Sequence, residues 1–203
     1  MVICGYLIEE SKLNLLKDAK DSKLLSPKQR DELDKKLKKI AKDYALVFLS
    51  AEEIDRLREI SNLNKIEIKE MQKMINLLNP QKVIIDSPEN NVKKFEEKIR
   101  KGLKEKNIEI ICENYADSRY PIVSAASILA KVARDKEIEK IKNKYNIDFG
   151  SGYPSDERTI KFLKDWLKTH KELPNFVRKS WITIEQIKNE TKEKKQKTIK
   201  DYF

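Results

Sequence analysis

Two aspartates stand where an open α/β sheet tends to place its chemistry. Asp86 directly follows the apolar run Val83-Ile84-Ile85, and Asp117 lies in the loop after the next such run, Ile108 to Cys112. Ligands of open α/β sheets gather outside the carboxyl ends of the strands, so both residues can reach one edge. Paired carboxylates are hard oxygen donors, suited to magnesium or manganese ions that keep waters for a substrate phosphate. A purely structural role stands equally open, because Asp is a common turn residue. Asp86 would then begin a turn with Pro88, and Asp117 would cap a loop. Other chemistries find less support. His170 sits near a helix end, where a cation suits the dipole, and nothing in its surroundings suggests acid–base work. Cys4 and Cys112 have no nearby His and no metal-ligand spacing. They read as strand cysteines of a reducing cytoplasm. Neither standard form of Gly-rich phosphate loop occurs.

The elements that must position these residues follow from pattern. Val2 to Ile8 is an apolar run of strand length. Ser26-Pro27-Lys28-Gln29 reads as a capped helix start, and Leu33, Leu37 and Ile40 continue one apolar stripe. Tyr44 to Leu49 reads as a strand, and Ser50 with Glu53 as a second capping box. A helix is expected from Asn64, carrying Ile68, Met71, Ile75 and Leu78 and ending before Pro80. The strand Val83–Ile85, a helix over Val92 to Lys106 and the strand Ile108–Cys112 make a βαβ unit, with a parallel pair buried on both faces. A loop is expected over Tyr115 to Pro121, then a long helix from Ser124 to about Tyr145. Gly150 to Pro154 reads as a turn, followed by a helix through Trp166.

A chain of 203 residues with 39% hydrophobic and 38% charged residues suits one α/β domain with a short appendage. No apolar run approaches membrane-spanning length, and the apolar start lacks the basic flank and cleavage site of a signal peptide. The net charge of +10 favours a polyanion partner, although lysine-rich helices are often only solvated faces.

Four segments taken together carry more than charge does. They are Asp21-Ser22-Lys23-Leu24-Leu25-Ser26-Pro27, Val83-Ile84-Ile85-Asp86, the stretch from Tyr115-Ala116-Asp117 through Tyr120-Pro121 to Arg134-Asp135, and Gly150-Ser151-Gly152-Tyr153-Pro154-Ser155-Asp156. In this order and spacing the chain resembles ribonuclease HII in its archaeal form, from Val2 to about Trp181. The resemblance implies an RNase H-like α/β fold, a mixed sheet flanked by helices, with a C-terminal helical extension and a short mobile tail. It implies a core over residues 1–145, a substrate-binding extension over 146–186 and a basic tail over 187–203. The implied reaction is endonucleolytic cleavage of RNA in an RNA–DNA hybrid, including ribonucleotides embedded in DNA. Two divalent ions, Mg²⁺ or Mn²⁺, would hold the scissile phosphate and activate a water. By resemblance, Asp86 and Asp117 match two of the family's four catalytic carboxylates, and Tyr153 matches the tyrosine that stacks on the sugar at the RNA–DNA junction. Gly152 belongs to that substrate-binding turn. Lys23, Ser124 and Arg134 fall in matching motifs as phosphate-binding or site-supporting residues, while for Arg134 and Asp135 a helix-surface ion network is the favoured reading. Ala125-Ala126 reads as close packing against the sheet.

The chain departs from the family at its start. The family pattern begins with a strand ending Asp-Glu-Ala-Gly-Arg-Gly-Pro, and Met1 to Tyr6 instead matches the second strand. That first central strand is expected to be missing, each unsatisfied backbone group costing about 1–3 kcal/mol. Met1 is accordingly expected to be an internal methionine of a longer reading frame. The alternative is a chain that binds hybrids and clamps without cutting; another RNase H-fold nuclease, such as a resolvase, is a third reading. At the other end, Gln196-Lys197-Thr198-Ile199-Lys200-Asp201-Tyr202-Phe203 fits Gln-x-x-aliphatic-x-x-aromatic-aromatic. Ile199, Tyr202 and Phe203 on one helical turn, with Gln196 beside them, would plug an apolar pocket of a sliding clamp. Alternatively, the terminal aromatics fold back on the body. A monomer without membrane attachment is expected.

Overall fold

The computed structural model describes residues 1–19 and 26–190. Their order is β1 (Val2–Leu7), a 3-10 helix (Glu10–Ala19), α1 (Pro27–Ile40), β2 (Asp43–Phe48), α2 (Ala51–Arg58), α3 (Leu63–Leu78), β3 (Lys82–Asp86), α4 (Val92–Lys101), β4 (Glu109–Glu113), α5 (Ala116–Arg119), α6 (Pro121–Tyr145) and α7 (Glu157–Thr169). A last helical stretch covers 182–190. Two compact units emerge. One comprises Met1–Leu49 with Ser61–Arg134; the other comprises Ser50–Ile60 with the chain from Asp135 on.

In the first unit β1 pairs antiparallel with β2, in the register Val2↔Phe48 to Leu7↔Asp43, and β3 pairs parallel with β4 from Lys82↔Glu109 to Asp86↔Glu113. Both pairing types of a mixed sheet are present, and among the described residues the two pairs are not hydrogen-bonded to each other. Helix α3 lies against β1. A Cβ on Gly5 would stand 2.9 Å from Leu78 Cδ1, so a larger residue there would push the Leu78 side chain aside. The other side of α3 gives Ile68 and Ile75 to a cluster with Ile85 of β3, Phe95 and Ile99 of α4, and Ile110 and Cys112 of β4. This is the expected βαβ unit.

A second cluster joins Tyr6 of β1, Leu16 and Ala19 of the 3-10 helix, Leu33 and Leu37 of α1, and Ala125, Ile128, Leu129 and Val132 of α6. Ala125 is fully buried there, in keeping with the close packing expected of it. The capping box at α1 forms as expected: Gln29 N–H donates to Ser26 Oγ at 3.3 Å, and Ser26 N–H donates to Gln29 Oε1 at 2.9 Å.

Four expectations need correction. Helix α3 starts at Leu63 with Asn62 as its cap, whose Oδ1 accepts from Lys65 N–H at 2.9 Å. Helix α4 stops at Lys101 instead of Lys106, because α3 takes over its terminal carbonyls. Gln72 Nε2 donates to Lys98 O at 2.8 Å, and Asn76 Nδ2 donates to Gly102 O at 3.0 Å. The expected loop over Tyr115 to Pro121 holds the helical turn α5, and α6 begins at Pro121 instead of Ser124. The 3-10 helix was not expected at all.

The second unit has its own core of Leu163, Leu173, Val177, Ile184 and Ile187, with Phe162, Trp166 and Phe176 packed on it. Phe176 also stacks on Phe149, ring centroids 5.2 Å apart. Apolar packing in this core runs through Ile187. Helix α2 is tied in by Asp55, whose carboxylate accepts from Lys179 N–H at 2.6 Å and Ser180 N–H at 3.1 Å. No described helix is long and apolar enough to cross a membrane.

Candidate active site

The strand-end edge of β3 and β4 is built from short-range constraints. Asp86 closes β3 with its side chain exposed, opposite Glu113 of β4. Ser87 N–H donates to Glu113 O at 2.8 Å, and Asn114 Nδ2 donates to Ser87 O at 2.8 Å and Glu89 O at 3.0 Å. The two loops leaving the strands are therefore tied together. Tyr115 then takes a left-handed backbone, φ 58°, which turns the chain straight into α5. Ala116, fully buried, donates its N–H to Asp86 Oδ1 at 3.1 Å. That bond sets the residue next to Asp117 directly on the Asp86 carboxylate. The buried Ser124 hydroxyl donates to the Asp117 carbonyl and fixes the far side of the turn.

Glu113 escaped the sequence reading. Its carboxylate accepts from Arg119 Nη1 at 2.6 Å and from the Tyr120 hydroxyl at 2.9 Å, bracing α5 against the end of β4. The bond to Glu113 pushes the Tyr120 phenol up from its ordinary value. One signal for it was available: Glu113 directly follows an apolar strand, as Asp86 does.

A second constellation lies wholly within the other unit. Gly150 and Gly152 have φ of 75° and 71°, a region that favours glycine. Tyr153 follows them, 44% exposed. Asp156 caps α7, accepting from Arg158 N–H at 2.9 Å, and its Oδ2 also accepts from Ser151 N–H at 2.7 Å. The Ser151 bond is the main reason its carboxyl lies well below the usual carboxylate range. Thr159, buried, donates to Phe149 O at 2.9 Å and accepts from Gly152 N–H at 3.0 Å.

The remaining expected residues are spread more widely. Arg134 is half-buried on α6, at the end of the first unit, and Asp135 opens the rest of the second. Lys23 lies outside the described residues, as do Gln196, Ile199, Tyr202 and Phe203. His170 stacks on Trp166, ring centroids 3.9 Å apart, with Nδ1 2.8 Å from the Thr169 hydroxyl, so its setting is structural. Cys4 and Cys112 are free thiols in β1 and β4. Among the described residues, no group of three or more His, Cys, Asp or Glu stands ready to hold a metal ion.

The family model for ribonuclease HII matches residues 1–184. The chain belongs to the ribonuclease HII family. Its members are endoribonucleases, and this chain is an enzyme of that type. The ribonuclease HII of Methanosarcina barkeri is 43% identical over 201 residues, covering 95% of this chain and 90% of its own. That of Methanothermobacter thermautotrophicus is 46% identical over 193 residues, covering 93% and 91%. The ribonuclease H2 from Pyrococcus horikoshii superposes with a TM-score of 0.84 at 41% identity, over 93% of this chain and 90% of that one. The ribonuclease HII in the PCNA complex from Archaeoglobus fulgidus gives 0.84's near equal, a TM-score of 0.83, at 34% identity, over 92% and 88%. The fold is α/β and RNase H-like, with helices flanking a small mixed set of strands.

Proposed function

We propose that this ribonuclease HII hydrolyses the RNA strand of RNA–DNA hybrids, including ribonucleotides embedded in DNA, as a divalent-metal-dependent endonuclease. The observation that carries this reading is the bond from Ala116 N–H to Asp86 Oδ1 at 3.1 Å, which draws the Asp117 turn onto the exposed Asp86 carboxylate. Two carboxylates at a strand-end edge are a fitting hard-donor set for magnesium or manganese. Two such ions would supply positive charge at the scissile phosphate and acidify the attacking water. Asp86 and Asp117 would supply carboxylate oxygens to such ions, and Ser124 keeps the Asp117 backbone in place. Lys23 would meet a backbone phosphate, and Arg134, half-buried on α6, would support the site. Tyr153 stacks on the sugar at the RNA–DNA junction, where Gly152 lets the strand approach the backbone closely. The test is Mn²⁺-dependent cleavage of a duplex carrying one embedded ribonucleotide. Asp86→Asn should reduce the rate on the order of 100-fold or more; a variant as fast as the parent would sink the assignment.

A second reading is a protein that binds hybrids without cutting them, because by resemblance only two of the family's four catalytic carboxylates, Asp86 and Asp117, are matched in this sequence. Tight duplex binding with no cleavage in either metal would select it.

The C-terminal peptide is proposed to bind a sliding clamp through Gln196, Ile199, Tyr202 and Phe203. The PCNA complex formed by the Archaeoglobus relative supports this. A chain ending at Lys195 should lose retention on immobilised clamp, and equal retention would refute it. We place the working protein in the cytoplasm as a monomer.

A further inference from the structure

The Gly150–Tyr153 turn has an unusual amount of machinery behind it. Both of its glycines sit at positive φ. Left to itself, such a segment would sample many conformations, since glycine has the most backbone freedom to lose. Here two consecutive N–H groups are held by side chains of the next helix. Ser151 N–H donates to Asp156 Oδ2 at 2.7 Å, and Gly152 N–H donates to Thr159 Oγ1 at 3.0 Å. The same Thr159 hydroxyl donates to Phe149 O at 2.9 Å, so it grips the chain on both sides of Gly150. Thr159 is only 3% exposed, which shields these bonds from water. The fit is tight as well: a Cβ on Gly150 would stand 2.8 Å from Asp156 Oδ2 and 3.1 Å from Thr159 N. The product of all this is an exposed aromatic ring, Tyr153, on a turn with little freedom.

We propose that Thr159 and Asp156 are positioning residues, which hold the Gly150–Tyr153 turn in the one shape that presents Tyr153 to the nucleic acid. The inference rests on the reading of Tyr153 as a substrate-stacking residue and deepens it. Neither residue touches substrate. They act by removing, before binding, the conformational freedom that the turn would otherwise lose on binding. Asp156 contributes the anchor at the helix cap, and Thr159 the buried bridge.

A double-mutant cycle tests this on the full chain. The measurement is equilibrium affinity for a duplex carrying one embedded ribonucleotide, in Ca²⁺ to suppress cleavage, for Thr159→Val, Thr159→Ser, Tyr153→Ala and the Tyr153→Ala/Thr159→Val pair. Positioning predicts that Thr159→Val weakens binding about tenfold and that Thr159→Ser restores it. It also predicts that Thr159→Val has no further effect once Tyr153 is Ala. Equal weakening in both backgrounds would overturn the inference, because the threonine would then be acting on the fold at large. A silent Thr159→Val beside a weakened Tyr153→Ala would overturn it too, while leaving the stacking role intact. If Tyr153→Ala binds like the parent, the stacking reading itself fails and the inference falls with it. Should Thr159→Val not fold, Asp156→Asn replaces it in the same cycle with the same expectations.

Discussion

Cys4 and Cys112 lie in β1 and β4, and burial pushes both thiols up to about 12. The thiolate is the reactive species, so at pH 8 each is almost wholly in its inert form. Mass spectrometry after iodoacetamide treatment should find both unmodified in the native protein at pH 8 and both alkylated after denaturation. Asp156 shows the opposite case. Its carboxyl is held below the usual range by the N–H of Ser151 first, and also by that of Arg158. A carboxyl whose pKa is lowered on folding adds stability above its unfolded value, near 4, and loses that contribution as pH falls through the folded value. Asp156→Asn should therefore lower the melting temperature at pH 7, and the gap from the parent should narrow below about pH 4. Thermal melts across that range would check it. At this scale the sequence was readable where chemistry is local. Asp86 and Asp117 stood out because they follow apolar strands. Glu113 carries the same signal, but its bracing role becomes visible only with Arg119 and Tyr120 curled back through the turn at the left-handed Tyr115.

Among the elements, α4 puts two large apolar side chains wholly out of water. Phe95 and Ile99 are both at 0% exposure, one turn apart on the face toward β3 and β4. Phe95→Ala should cost about 3–5 kcal/mol, read as a shift in the urea midpoint with little change in slope. The start of α1 was legible because a capping box is contained within four residues. The end of α4 was not, because Gln72 and Asn76 reach it from α3, some 26 positions earlier in the chain. The 3-10 helix was obscure for a different reason. Leu13 and Leu15 are 40% and 45% exposed while Leu16 is at 0%, so its apolar residues follow no period that marks a buried face.

The whole molecule carries a net charge of +10, and its proposed partner is a polyanion. Affinity for a hybrid duplex should fall linearly with salt on logarithmic axes, each neutralised phosphate adding about 0.9 to the slope. A titration between 50 and 200 mM KCl would show it, and a flat response would mean that the lysines are only solvated surface. The division into two units has a different consequence. Helix α2 is translated early, between β2 and α3, yet its Asp55 awaits the N–H groups of Lys179 and Ser180, 124 and 125 positions further on. A ribosome thus releases α2, with its apolar Ile54, long before the partners exist. The second unit can close only once Lys179 and Ser180 have been made. A nascent chain halted after α6 would therefore carry α2 as an unfinished surface for chaperones to shield.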